Sequence, residues 1–120
     1  MVIVMGATGF IGMYTVERLI QDGEKVIATG RNVVLGTSLE KMGAEFIELD
    51  ITKKEDFLKL PTSGVTGVIL LAGLLPANVK IDLEEHDNAA DYFEVNVIGL
   101  INVLEYCRKN NIKKVISSCS

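Results

Sequence analysis

Gly6, Gly9 and Gly12, in the run Gly6-Ala7-Thr8-Gly9-Phe10-Ile11-Gly12, give this chain a segment built to bind an anion. They follow the apolar run Val2-Ile3-Val4-Met5 and open an amphipathic stretch from Met13 to Ile20. A strand, a tight turn and a helix start, in that order, gather unpaired N–H groups and the positive end of a helix dipole at one point, which suits a pyrophosphate. The spacing assigns Gly6 to the turn, Gly9 to the approach of phosphate to the backbone, and Gly12 to close packing of helix on strand. The plain alternative is an ordinary strand-to-helix turn.

A second chemical feature follows the next strand. Dinucleotide folds that prefer NAD carry Asp or Glu about 20 residues beyond the glycines, bonded to the ribose 2′-hydroxyl. Here Gly30 falls about 18 residues after Gly12, and Arg31 comes next. No carboxylate stands there to repel a 2′-phosphate, and a guanidinium can hold one through two charge-assisted hydrogen bonds. Such a contact is worth roughly 1.5–3 kcal/mol, or about 10- to 100-fold in affinity. The expected cofactor is therefore NADP(H), with NAD(H) possible. The alternative for Arg31 is stacking on adenine or pointing to solvent.

Other reactive side chains read as structural. His86 sits in the acidic loop 82–87, where a solvated histidine is the ordinary reading and a general base the sharper one. Glu84-Glu85 and Glu55-Asp56 read as solvated helix ends, because no coordinating partner is spaced to join them in a metal site. Cys107 and Cys119 lack metal-type spacing and read as free thiols in a reducing compartment, which places the protein in the cytoplasm.

The elements that must position these groups alternate along the chain. Strands are expected at Val2–Met5, Lys25–Thr29, Glu45–Leu49, Gly67–Ala72 and Lys114–Ser117. Helices are expected at Phe10–Gln21, Asn32–Lys41, a short Lys53–Leu60, and Asp87–Asn110. Asp22-Gly23 and Met42-Gly43 supply C-terminal stops, and Thr52 with Glu55 forms a capping box for the short helix. Continuous rather than alternating apolar runs indicate strands covered on both faces. The result is an α/β fold, a doubly wound parallel sheet of Rossmann type in the order 3-2-1-4-5, with the cofactor at the switch between strands 1 and 4.

The 120 residues suffice for one domain, residues 1–120, and 48% hydrophobic with 23% charged is the balance of a globular chain. Apolar runs such as 67–75 are too short for a membrane span, and nothing at the N-terminus resembles a secretory signal. A net charge of −4 without a basic block argues against a nucleic-acid partner. The last helix carries apolar residues on more than one stripe, from Tyr92 to Cys107, so two of its faces call for burial.

These motifs together resemble the extended short-chain dehydrogenase/reductases, the nucleotide-sugar epimerase/dehydratase group. The resemblance rests on the glycine loop and on Leu49-Asp50-Ile51, Leu70-Leu71-Ala72-Gly73, Tyr92-x-x-x-Asn96-Val97-x-Gly99, Asn102-Val103-Leu104 and Val115-Ile116-Ser117-Ser118-Cys119-Ser120, and it covers the whole chain. It implies cofactor contacts from Gly6, Thr8, Gly9, Phe10, Ile11 and Gly12. It implies that Asp50 accepts from the adenine amino group while the Ile51 N–H meets the ring; the alternative for Asp50 is an exposed helix cap. Leu71, Ala72 and Gly73 would lie against ribose and nicotinamide, and Asn96 would bond backbone or cofactor groups or serve the fold alone. Ser120 aligns with the family's catalytic serine, with Ser118 the choice if the register shifts by two.

The family's proton donor is a tyrosine in Tyr-x-x-x-Lys. None of Tyr14, Tyr92 and Tyr106 has Lys four residues on. Tyr14 comes closest, with Arg18, among cofactor-facing and core positions of the first helix. The sequence thus reads as the N-terminal half of a longer enzyme, without its substrate domain, able to bind cofactor but not to turn over. The implied reaction is hydride transfer to or from a carbinol or carbonyl carbon of a small molecule, a nucleotide sugar above all. The rival reading is a non-catalytic NAD(P)-sensing or regulatory protein. The resemblance also implies a homodimer through the helix Asp91–Cys107.

Overall fold

Among the described residues nine elements follow one another: β1 (Val2–Met5), α1 (Phe10–Gln21), β2 (Val26–Gly30), α2 (Val33–Met42), β3 (Glu45–Glu48), a 3₁₀ helix (Lys54–Lys59), β4 (Gly67–Leu70), α3 (His86–Lys109) and β5 (Val115–Ser117). They belong to a computed structural model that describes residues 1–71 and 86–117, with side chains at 1–71 and 97–117. Ala72, Gly73, Ser118, Cys119 and Ser120 lie outside the described residues, as does the side chain of Asn96.

The strands form one parallel sheet in the order β3-β2-β1-β4-β5. Val2 of β1 lies opposite Val26 on one side and Gly67 on the other, so the carboxyl ends of the strands share one edge. Chain order reverses beside β1, which opens the crevice where open α/β sheets take ligands. The expected fold and strand order are the observed ones.

Two apolar layers hold the sheet. On one face Val4, Val26 and Ala28 pack with Val16 of α1 and Leu39 of α2. On the other, Ile3, Met5, Ile27 and Val68 pack with Phe57 of the 3₁₀ helix and with Val103, Tyr106 and Cys107 of α3. Alternate residues of β1 and β2 thus serve opposite layers, as the strand period of two requires. Both faces of β2 are buried along its whole length, which is why its sequence shows no polar alternation.

Four expectations change. The short third helix is 3₁₀ rather than α, and the Thr52–Glu55 capping box does not form: Lys53 caps the helix without a side-chain bond. Thr52 donates its hydroxyl to Asp50 Oδ1 at 2.7 Å and its N–H to the same oxygen at 3.0 Å, because a carboxylate two residues back competes for both donors. Coverage on both faces fails at the sheet edges, where Glu45 and Glu48 of β3 are exposed and Ile116 of β5 is 52% exposed. α3 begins at His86, so that histidine stands on a helix and not in a loop. Several other boundaries move by a residue or two; β2, for instance, runs one residue further, to Gly30.

Candidate functional site

The glycine turn leaves β1 through Gly6, whose φ of +82° suits a residue without Cβ. The N–H groups of Gly6 and Ala7 both donate to Thr29 O, at 3.1 and 2.9 Å, which ties the turn to the end of β2. Gly12 must be small: a Cβ there would lie 2.6 Å from the Cα of Ala7, against backbone that has nowhere to go. At Gly9 the reason differs. A Cβ would come no nearer than 3.8 Å to a described protein atom, Gly6 O, so packing does not demand glycine there. Gly9 is also the N-cap of α1, gives no side-chain cap bond, and the first turn holds no acidic residue. The first-turn amides therefore face the crevice with their dipole unopposed, and Phe10 and Ile11 lie exposed beside them.

A cleft of about 340 Å³ opens at this edge, lined by Gly6, Thr8, Gly9, Thr29, Gly30, Arg31, Asn32, Leu49, Asp50, Ile51, Thr52 and Leu71. Most of these positions come from the loops after β1, β2 and β3, which only the parallel sheet brings together. Gly30 is crowded by Thr8: a Cβ on Gly30 would sit 2.8 Å from Thr8 Oγ1. A carboxylate at position 30 is thus sterically barred while Thr8 keeps its place, and the first side chain after β2 that reaches the cleft is Arg31. Arg31 is exposed, and its charge acts on Asp50 across the cleft. Asn32 follows as the N-cap of α2, its Oδ1 accepting from Leu35 N at 3.1 Å. No acidic residue occupies the first turn of α2 either, so a second helix N-terminus borders the same space.

Asp50 closes the far wall. Burial acts to raise its carboxyl pKa, but hydrogen bonds from Thr52 and the nearby positive charges of Arg31 and Lys53 outweigh it, holding the group below the usual aspartate value. It is therefore an anion at neutral pH and an acceptor. The Asp50 N–H donates to Asp56 Oδ2 at 2.9 Å, and Ile51 O accepts from Asn102 Nδ2 at 2.8 Å. Glu55-Asp56 is thus not simply a solvated helix end: Asp56 holds the loop that carries Asp50. Its Oδ1 stands 3.6 Å from Lys59 Nζ, which in turn donates to Glu48 O at 3.0 Å.

Leu71 enters the cleft from the end of β4, its N–H bonded to Met5 O at 2.8 Å. Asn96 lies on α3, and Ser117 ends β5 on the same sheet edge. Tyr14 is 66% exposed on α1 and does not line the cleft, which corrects its expected placement among core and cofactor-facing positions. Tyr106 is buried and donates its hydroxyl to Pro61 O; burial, with a smaller contribution from Cys107, pushes its pKa up to about 12. It cannot serve as a base near neutral pH.

Thr29, Asn32, Leu49 and Thr52 also line the cleft, although none of them had a cofactor-binding role assigned from the sequence. Asn32 carried a usable signal, a capping residue just before an apolar helix start. Thr29 carried none, since it read as an ordinary strand residue, and Leu49 stood in the Leu49-Asp50-Ile51 motif only as the strand residue before Asp50.

The family profile described as "NAD dependent epimerase/dehydratase family" matches residues 2–120. A putative UDP-glucose 4-epimerase of Methanocaldococcus jannaschii is 30% identical over 120 residues, spanning 100% of this chain and 38% of that protein. Among solved structures, the UDP-glucose 4-epimerase of Thermus thermophilus in complex with NAD superposes with a TM-score of 0.76 at 30% identity, covering 95% of this chain and 35% of the other. The UDP-glucose 4-epimerase of Thermotoga maritima with UDP-glucose gives a TM-score of 0.79 at 27% identity, covering 99% and 37%. The chain thus spans little more than a third of the length of these proteins.

Proposed function

The chain belongs to the NAD dependent epimerase/dehydratase family, and we propose that its 120 residues are the dinucleotide-binding part of an enzyme acting on a nucleotide sugar. The observation that carries this is the cleft wall: uncapped α1 amides behind Gly9, with an ionised Asp50 opposite. The residues present fit a dinucleotide. The Gly6–Gly12 turn would hold the pyrophosphate, Asp50 and the Ile51 N–H the adenine, and Leu71 with Ala72 and Gly73 the ribose and nicotinamide. Asn96 would bond groups near the reacting end. The bound nicotinamide would supply hydride exchange with a carbinol or carbonyl carbon of the substrate. This chain's own contribution there is Ser120, hydrogen-bonded to the substrate oxygen, with Ser118 the other choice; Ser117 of β5 already stands on that edge.

NADP(H) is the preferred cofactor in this proposal, although the Thermus thermophilus relative was solved in complex with NAD. The supports are the bar to a side chain at Gly30, the exposed guanidinium of Arg31, and a second helix N-terminus free of acidic residues at Asn32. A 2′-phosphate meeting these groups gains about 1.5–3 kcal/mol, or about 10- to 100-fold. The enzyme works as a cytoplasmic homodimer joined through Asp91–Cys107 of α3, a reading supported by the exposed apolar side chains of Val97, Ile98, Leu100, Ile101 and Leu104.

Titration of the protein with NAD and NADP tests the core of this proposal. Binding of NADP at least about tenfold tighter, reduced to parity or reversed in Arg31→Asp, is the expected result. Tighter NAD binding by the unaltered protein overturns the NADP preference, and failure to bind either overturns the dinucleotide reading. Sedimentation as a monomer at high protein concentration would count against dimerisation through α3.

A further inference from the structure

The loop Asp50–Ile51 is gripped from two elements that are distant in sequence. From the 3₁₀ helix, Asp56 Oδ2 takes the Asp50 N–H at 2.9 Å. From α3, Asn102 Nδ2 donates to Ile51 O at 2.8 Å. Gly99, one helical turn before Asn102, lets α3 close on the Ile51 side chain: a Cβ on Gly99 would come within 2.8 Å of Ile51 Cγ1. The bonds from Asp56 and Asn102 hold the peptide groups on either side of the Asp50–Ile51 peptide, whose own carbonyl, Asp50 O, accepts from Lys53 N at 3.0 Å, so all three successive peptide planes are tied. Thr52 fixes the Asp50 carboxylate through two further bonds at 2.7 and 3.0 Å.

We propose that Asp56 and Asn102 are positioning residues for base recognition, setting the Asp50–Ile51 peptide so that carboxylate and N–H together read the adenine edge of the cofactor. This deepens the functional reading above and rests on it. An amino group and ring nitrogen on one purine edge present a donor beside an acceptor. Reading both needs an acceptor and a donor at fixed separation, which a peptide that can rotate does not supply. Two anchors within hydrogen-bond range suit that need better than two residues in a free loop. Asp56 is kept in place by Lys59, which reaches both its carboxylate and the last residue of β3. The side chain of Asp56 is 19% exposed, so its bond to Asp50 is only partly open to competition from water.

The test uses NADP and its hypoxanthine analogue, in which the amino donor becomes a carbonyl acceptor and the neighbouring ring nitrogen gains a proton. Unaltered protein should favour the adenine form by about tenfold, since the analogue sets a carbonyl against the Asp50 carboxylate. Asn102→Leu and Asp56→Ala should weaken the adenine form by about tenfold and leave the analogue nearly unchanged, so the ratio falls toward one. Asp56→Asn keeps an oxygen acceptor for the Asp50 N–H and should retain the preference. A thermal melt of each variant establishes that it is folded; if Asn102→Leu is not, the Asp56 pair carries the test. Equal weakening of both ligands, or an unchanged ratio in folded Asp56→Ala, overturns the positioning role while leaving dinucleotide binding intact. Equal binding of both ligands by unaltered protein removes the adenine contact and this proposal with it. If unaltered protein binds neither, the dinucleotide reading itself has failed.

Discussion

The two walls of the cleft are made of different things. The wall formed by the β1–α1 turn and the α2 start is made of backbone. Gly6 and Ala7 amides meet Thr29 O, and α1 presents its first-turn amides without a side-chain cap. The wall formed by Asp50 and Ile51 is made of side chains reaching from elsewhere, Asp56 from the 3₁₀ helix and Asn102 from α3. A backbone wall depends on where side chains are missing, and a side-chain wall on where particular ones arrive. The first should fail all at once when an atom is added; the second should fail by degrees when a bond is removed.

The most severe test of that contrast adds atoms to the backbone wall. Gly12→Val places branched carbon against Ala7 Cα and Gly6 O, atoms of the main chain that cannot move without shifting β1. Strain of about 3 kcal/mol is expected, toward the upper end for inserted bulk because the neighbour is backbone. Urea denaturation should show the midpoint falling, with dinucleotide binding lost even where folding persists. A midpoint within a few tenths of a molar of the unaltered protein would mean that α1 can ride away from β1, and the backbone wall is softer than argued.

The helix that supplies Asn102 to the side-chain wall also carries, one turn on, a group with a pH dependence that the backbone wall lacks. Tyr106 packs against Phe57, with ring centroids 6.0 Å apart, and bonds Pro61 O, so it joins α3 to the segment after the 3₁₀ helix. Its folded pKa is raised to about 12 from 10.0, so the fold favours the neutral phenol. The unfolded chain ionises first as pH rises, and the contribution is whole below pH 10 and lost between pH 10 and about 12. Full loss amounts to roughly 2–3 kcal/mol. Tyr106→Phe should be less stable at neutral pH by about 1 kcal/mol and should lack this part of the alkaline decline. Parallel stability–pH curves for the two proteins above about pH 10 would remove Tyr106 from the account.

The same contrast explains what could be read in the sequence. The glycine wall was legible because its partners are neighbours: Gly6, Gly9 and Gly12 sit at spacings set by one turn and one helix. The sheet order followed from apolar runs whose lack of alternation reports burial on both faces, and β2 bears this out. The Asp50 wall was legible only as far as Asp50 itself. Asn102 lies 51 residues from Ile51, and an asparagine within α3 does not state which carbonyl it meets. Asp56 misled for the opposite reason. Beside Glu55 in a short charged helix it looked solvated, yet its acceptor found a local backbone donor. Thr52 likewise matched a capping pattern but had a stronger acceptor two residues behind it.

The smallest expected effect tests whether the backbone wall is free of side-chain bonds at its root. Thr29 lies under the glycine turn, 1% exposed, and among the described residues its Oγ1 has no hydrogen-bond partner. Its carbonyl does the structural work by accepting from Gly6 and Ala7. A buried hydroxyl without a partner carries its full desolvation cost, so Thr29→Val, which keeps the branched shape, should raise stability by about 1 kcal/mol. The melting temperature should rise by about 4 °C, with dinucleotide affinity unchanged. A fall in stability would mean that the hydroxyl is bonded after all, and the glycine turn would then rest on a side-chain bond as the Asp50 loop does. A rise in stability joined to a loss of affinity would have another meaning. The hydroxyl would then be reserved for the ligand, its desolvation offset only when the cleft is filled, and the backbone wall would contain one side chain that acts only in the complex.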